Sequence, residues 1–142
     1  RQGKCVGAIA AMDIYHVSKK FPKDELYSLT SQIRRSSRSV CSNMGEGYRK
    51  RIYQAHFVSK ISDSDMENTE TQVWLDFAFA CDYITKDIFS DFNERSEEIG
   101  RLLNHMIQSP ESTNSPAPVG SWQSTVHSQQ SAKNYDTLAI ED

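Results

Sequence analysis

The chain has 142 residues, of which 37 % are hydrophobic, enough for one domain with a core of its own. A mean hydropathy of −0.62, with no apolar run near the roughly 18 residues that cross a bilayer, excludes a membrane-spanning helix and predicts a soluble cytoplasmic protein. The net charge is only −3, but residues 1–51 carry 11 basic and 4 acidic groups, residues 52–108 carry 4 and 11, and residues 109–142 carry 1 and 4. Packing the first two stretches together neutralises much of this asymmetry and leaves the rest to make one surface basic. The three cysteines, Cys5, Cys41 and Cys81, are odd in number and far apart. They form neither a disulfide framework nor a Cys-x-x-Cys metal site, and read as small core residues in a reducing compartment. No basic-then-apolar signal segment opens the sequence.

Apolar spacing predicts a first helix over about residues 4–20, with Val6, Ala10, Ile14, Val17 and Phe21 on one stripe. Pro22 ends it. A second helix begins near Asp24 or Thr30, either of which can cap it, and runs to about Glu46. Its stripe is Leu26, Leu29, Ile33, Val40 and Met44, with Ser36 in the remaining core slot, and Gly45 and Gly47 mark its exit. Residues 48–52 form a basic connection. A third helix runs from about Tyr53 to Asp82 along the seam Phe57, Ile61, Ser64, Asn68, Thr71, Leu75 and Ala78, polar in its middle. From Val73 to Cys81 it is apolar on nearly every face, more than one bundle stripe can bury. Val73, Trp74, Phe77 and Cys81 are therefore the expected subunit interface. Thr85 caps a fourth helix, with Ile84 stapled to Phe89, that runs to about Gln108 along Phe89, Phe92, Ile99, Leu102, Leu103 and Met106. Residues 1–108 thus read as an all-α, antiparallel up-down four-helix bundle. Residues 109–142 read as a disordered polar tail, the alternative being a docking segment at Trp122 and Tyr135 to Ile140.

The order of polar residues in helix two is less generic than its spacing. Leu29-Thr30-Ser31-Gln32-Ile33-Arg34-Arg35, with Ser42-Asn43 and Glu46-Gly47 after it, resembles the family of four-helix bundles often encoded in intervening sequences of large-subunit ribosomal RNA genes. Phe21 to Tyr27 resembles that family's link into helix two, and Glu70-Thr71-Gln72 the centre of its third helix. The likeness covers roughly residues 10–108. It implies an all-α bundle assembled as a homo-oligomer, a ring of five, and brings with it no established enzymatic activity. More distantly similar bundles serve as accessory subunits of diversity-generating retroelements, an analogy of fold that implies nucleic acid or a nucleic-acid-processing protein as partner. The sequence departs from the family at Cys41, where a proline is typical, and at Arg38, which replaces an apolar residue. Asp63 and Asp65 replace a basic and a small residue, making helix three more acidic.

Chemistry-bearing groups are few. Arg34, Arg35, Asn43, Glu46, Glu70 and Gln72 are expected to converge between helices two and three as a polar network fixing register, with a polar-ligand site as the alternative. A di-iron bundle needs paired Glu-x-x-His motifs, and Asp13-Ile-Tyr-His16 is a lone pair of another kind, so no metal and no cofactor is expected. Neither a nucleophile elbow nor a phosphate loop occurs, so no catalytic residue is assigned. Arg34, Arg35 and Arg38, with Tyr48, Arg49, Lys50, Arg51 and Tyr53, interleave cations and aromatics as single-stranded nucleic-acid binders do. The chain therefore reads first as a non-enzymatic self-assembling scaffold or binding module, and second as a nucleic-acid-binding accessory protein.

Overall fold

A computed structural model of the chain describes residues 2–113, with side chains from Gly7 to Ser112. The expected tail beyond Thr113, with Trp122 and residues 135–140, lies outside the described residues, as do the side chains of Cys5 and Val6. Four helices follow in order: α1 (Gln2–Ser18), α2 (Leu29–Arg49), α3 (Gln54–Ala80) and α4 (Lys86–Gln108). Short 3-10 turns occupy Lys23–Glu25 and Pro110–Thr113, and the described residues contain no strand. The connections are short, so successive helices run antiparallel. α1 packs on α2, α2 on α3, α3 on α4 and α4 on α1, which closes the up-down four-helix bundle.

The core has three storeys. Ile14, Val17, Leu29, Ile33, Leu75, Ala78, Ile88 and Phe92 fill the end nearest the α1–α2 connection. Ala10, Val40, Met44, Phe57, Ile61, Ile99, Leu103 and Met106 fill the other. Between them, Ser36, Ser64, Asn68, Thr71 and Ser96 are buried and polar. Each has a partner, as a buried polar atom must. Ser64 Oγ donates to the Val40 carbonyl at 2.7 Å, and Asn68 Nδ2 donates to the Ser96 carbonyl at 2.8 Å. Thr71 Oγ1 lies 2.9 Å from both the Ser36 hydroxyl and the Glu67 carbonyl. The seam expected for helix three is the set of residues α3 buries. In α4, Ile88 and Ser96 join the buried stripe, while Phe89 and Leu102 are only partly covered.

The helix ends differ from expectation where side chains outside the helix intervene. Neither Asp24 nor Thr30 caps α2: Asp24 lies in the 3-10 turn and Thr30 is buried inside the helix. Glu25 does the work instead, its carboxylate accepting from the Ser28 hydroxyl and from the Leu29 N–H. Leu26, expected on the core stripe, sits beyond the helix and is 46 % exposed. At the other end α2 runs through both glycines to Arg49. Gly47 is a close-approach position: a Cβ there would meet Ile61 Cδ1 at 3.1 Å. Gly45 faces open space. α3 stops before Asp82 because Asp82 adopts φ 61°, with its N–H on the Phe79 carbonyl and the Tyr83 N–H on the Ala78 carbonyl. That is the paired closure of a Schellman motif. Thr85 caps α4 as expected, its hydroxyl accepting from the Ile88 N–H at 3.3 Å. Asp13 and Arg95, 2.5 Å apart and nearly covered, tie α1 to α4, and Asp91 also pairs with Arg95.

Two outcomes follow. Gly45→Ala raises stability by up to about 1 kcal/mol, since alanine is the better helix former and meets nothing. Gly47→Leu lowers it by about 1–3 kcal/mol, because the added atoms force α2 and α3 apart. Urea titration of both variants checks the pair. The Ser28 hydroxyl first, then the Leu29 N–H, hold the Glu25 carboxyl below the usual carboxylate range. Its contribution is therefore full above the ordinary glutamate value of about 4.3 and is lost as pH falls through the lowered folded value. Glu25→Gln lowers the melting temperature at pH 7, and the difference from the parent chain shrinks with acidification; a constant difference across pH would contradict the cap.

Candidate nucleic-acid interface and apolar face

An α-helix turns about 100° per residue, so one side of α2 collects Ser31, Arg35, Arg38, Ser42, Gly45 and Arg49, with Arg34 on its flank toward α1. The inward positions hold Leu29, Ile33, Ser36, Val40, Met44 and Gly47. The arginines are outward for this reason, and the inward polar network expected from sequence does not form. Arg34 turns to α1: its Nε donates to Ser18 Oγ at 2.6 Å. Glu46 is exposed and pairs with Lys60 at 2.7 Å, which holds the carboxyl below and the ammonium above their ordinary values. Asn43 and Gln72 are partly buried and make no hydrogen bond to the arginines or glutamates of that set. The part that assembles is Arg35 with Glu70, at 2.5 Å, and with Glu67, at 3.5 Å, on the α2–α3 seam. Trp74 Nε1 donates to the same Glu70 oxygen at 3.1 Å. The hydrogen bond that Arg35 donates to Glu70 is the main reason its guanidinium is held above its ordinary value. Glu67 Oε2 is buried without a hydrogen-bond partner, so the neighbouring arginine charge is what steadies that carboxylate.

The eight residues expected to bind nucleic acid therefore separate. Arg35 is committed to α3. Tyr48 turns inward, edge-on to Phe57, and burial pushes its phenol up. Arg51 bends back to donate to the Tyr48 carbonyl at 2.8 Å. Arg34, Arg38, Arg49, Lys50 and Tyr53 are left toward solvent. Among the described residues, none of these four cations forms a close ion pair, though Lys50 helps Lys60 hold the Glu46 carboxyl below its ordinary value. Arg34 and Arg38 share the ring of Tyr15, at 4.8 and 5.4 Å from its centroid, with Lys19 also at 4.8 Å. A solvent-open groove of about 610 Å³ runs beside Arg34, Arg35 and Arg38, and Leu26, Tyr27, Ser31, Ser39 and Ser42 contribute to its walls. Tyr27, 92 % exposed, went unread in the sequence because its local signal is that of an ordinary loop residue.

The expected interface residues lie on the outside of α3. Val73 is 43 % and Phe77 54 % exposed, Trp74 is half-buried with its ring tilted on Phe77, and Cys81 is exposed. Met66, 64 % exposed, extends the same stripe. Cys81 is thus not the core residue its type suggested, whereas burial pushes the Cys41 thiol up to about 12. Among the described residues, no group of three His, Cys, Asp or Glu is placed to hold a metal ion. None of their helices is long and apolar enough to cross a membrane.

These features define an up-down four-helix bundle with a basic outer face on its second helix and an apolar outer face on its third. Residues 8–105 match the 23S rRNA-intervening sequence proteins, and the chain belongs to that family. It is similar to a crystal structure of a protein of unknown function of the S23 ribosomal protein family from Bacteroides thetaiotaomicron, with a TM-score of 0.68 and 27 % identity over 74 % of this chain and 97 % of that one. No curated protein matches it significantly.

Arg35→Ala lowers stability by on the order of 1 kcal/mol, a modest loss because Arg35 is half exposed, and it strands Glu67. Arg38→Ala leaves stability within a few tenths of a kcal/mol, the usual range for surface changes. Thermal melts of the two variants distinguish the structural arginine from the free one.

Proposed function

We propose that this protein is a non-enzymatic, cytoplasmic scaffold or binding module that assembles with copies of itself, as a ring of five. The single observation carrying this is the exposed stripe Met66, Val73 and Phe77 on α3. Large apolar side chains aligned at helical spacing and left open to water are what an interface covers. The internal polar belt and ion pairs serve register, which is consistent with a structural role. Light scattering at micromolar concentration tests the proposal: an assembly several times the 16.2 kDa chain is expected, and a monomer mass contradicts it. Phe77→Glu places a carboxylate among apolar side chains, at several kcal/mol per interface, and dissociates the assembly while leaving the helical circular dichroism intact.

A second reading, an accessory protein that binds nucleic acid or a nucleic-acid-processing partner, is favoured by the cations of α2 and the turn after it. Arg34, Arg38 and Arg49 form no ion pair with a carboxylate among the described residues, Lys50 only a longer-range one with Glu46, and Glu46, Glu67 and Glu70 are already paired with Lys60 and Arg35.

A further inference from the structure

We propose that the outer face of α2 is a linear track for one strand of single-stranded nucleic acid, entered at Tyr27 and left at the α2–α3 turn. This rests on the second reading above and adds the path, the strandedness and the residues that line it. Arg38 and Arg49 are eleven residues apart, about three full turns, so they lie on one line parallel to the helix axis. From Arg34 to Arg49 the line is about 22 Å long. Between its two cationic ends it carries only Ser42 and Gly45, small groups over which a backbone can lie closely. No carboxylate interrupts it. Glu46 sits to one side, held by Lys60, and Glu25 is engaged at the helix start by Ser28, Leu29 and Tyr83.

The two ends have the chemistry of strand binding. At the head, Lys19, Arg34 and Arg38 surround one tyrosine ring, and an anion in the groove that Arg34 and Arg38 line offsets their mutual repulsion. Arg34 and Arg38 stand one helical turn apart, about 6 Å between their Cβ atoms, which suits successive phosphates of an extended strand. The ring of Tyr27 is free on both faces at this end, and Tyr53, 61 % exposed beside His56, stands at the other. Aromatic faces take bases without regard to sequence, and guanidinium groups take phosphates. The groove, lined from Leu26 to Ser42, is open to solvent, which fits a chain passing over it rather than an enclosed small ligand. A duplex has its bases stacked inside and offers nothing to Tyr27 or Tyr53, so the strand is single.

Fluorescence anisotropy of the intact oligomer with a labelled single-stranded RNA of roughly a dozen nucleotides tests the track. Four phosphates neutralised give a slope of about −3 in log K against log salt. Arg34→Ala with Arg38→Ala reduces that slope by about 1.4. Gly45→Glu is the decisive variant, because nothing lies within 4 Å of the new Cβ and the fold is kept, yet a carboxylate now stands in mid-track. Its affinity is expected to fall at least tenfold, whereas Gly45→Ala binds like the parent chain. Tyr27→Ala weakens RNA about tenfold but does not alter binding of inorganic polyphosphate, which lacks bases. Parent-level binding by Gly45→Glu and by the Arg34, Arg38 double variant overturns the track and leaves nucleic-acid binding elsewhere on the protein. Polyphosphate binding as tightly as RNA, with Tyr27→Ala silent, overturns the strand as ligand. No binding by the parent oligomer at low salt overturns both the track and the reading beneath it.

Discussion

The structure depends on a belt of small polar side chains at the middle of the bundle. Ser64, Asn68 and Thr71 of α3 sit where a bundle ordinarily places Leu or Ile, and their polar atoms cannot be left alone in a dry core. Each has one position in which it reaches a partner on another helix: the Val40 carbonyl, the Ser96 carbonyl or the Ser36 hydroxyl. Sliding α3 by a turn would strand Ser64 against α2 or Asn68 against α4, while Thr71 would lose the Ser36 hydroxyl and keep only the Glu67 carbonyl of its own helix. Apolar contacts above and below are tolerant of such slips, so the belt selects the register and the apolar clusters then supply the burial. Its small side chains also let the helices approach closely, as Gly47 does against Ile61 nearer the foot of α2.

Once that register is fixed, the fate of each surface charge follows. Arg35 faces α3 and meets Glu67 and Glu70, while Lys60 faces back and meets Glu46. The acidic excess of α3 is partly spent on this seam. Arg34 and Arg38, on the flank of the same helix nearer α1, meet a tyrosine ring and a serine rather than a carboxylate. One helix thus holds arginines of two kinds, one or three residues apart, and their difference lies wholly in the neighbouring helix.

The same geometry leaves α3 with two apolar sides. Leu75 and Ala78 enter the core, and Phe79 stacks on Phe89 with ring centroids 4.7 Å apart. Val73 and Phe77, half a turn away, are not covered by any helix among the described residues. The basic face of α2 and the apolar face of α3 are adjacent but separate, with the Arg35–Glu70–Trp74 cluster on the boundary. An assembly built through α3 can therefore leave α2 open to a partner of another kind.

Apolar periodicity along the chain determined the four helices, their order, the buried seam of α3 and the Thr85 cap, because these depend on residues a few positions apart. The sequence also determined that helix three carries more apolar surface than one stripe can bury. Three things were decided only by tertiary structure. Gly45 and Gly47 look like a helix end, but helix-favouring flanks and close packing on Ile61 carry α2 through them to Arg49. Glu25 caps α2 from the preceding turn, a role visible only once that turn has folded back. The basic residues that read as one cluster fall into paired, inward-turned and open groups. A charge's availability depends on which side chains face it from other helices, and a linear pattern carries no record of them.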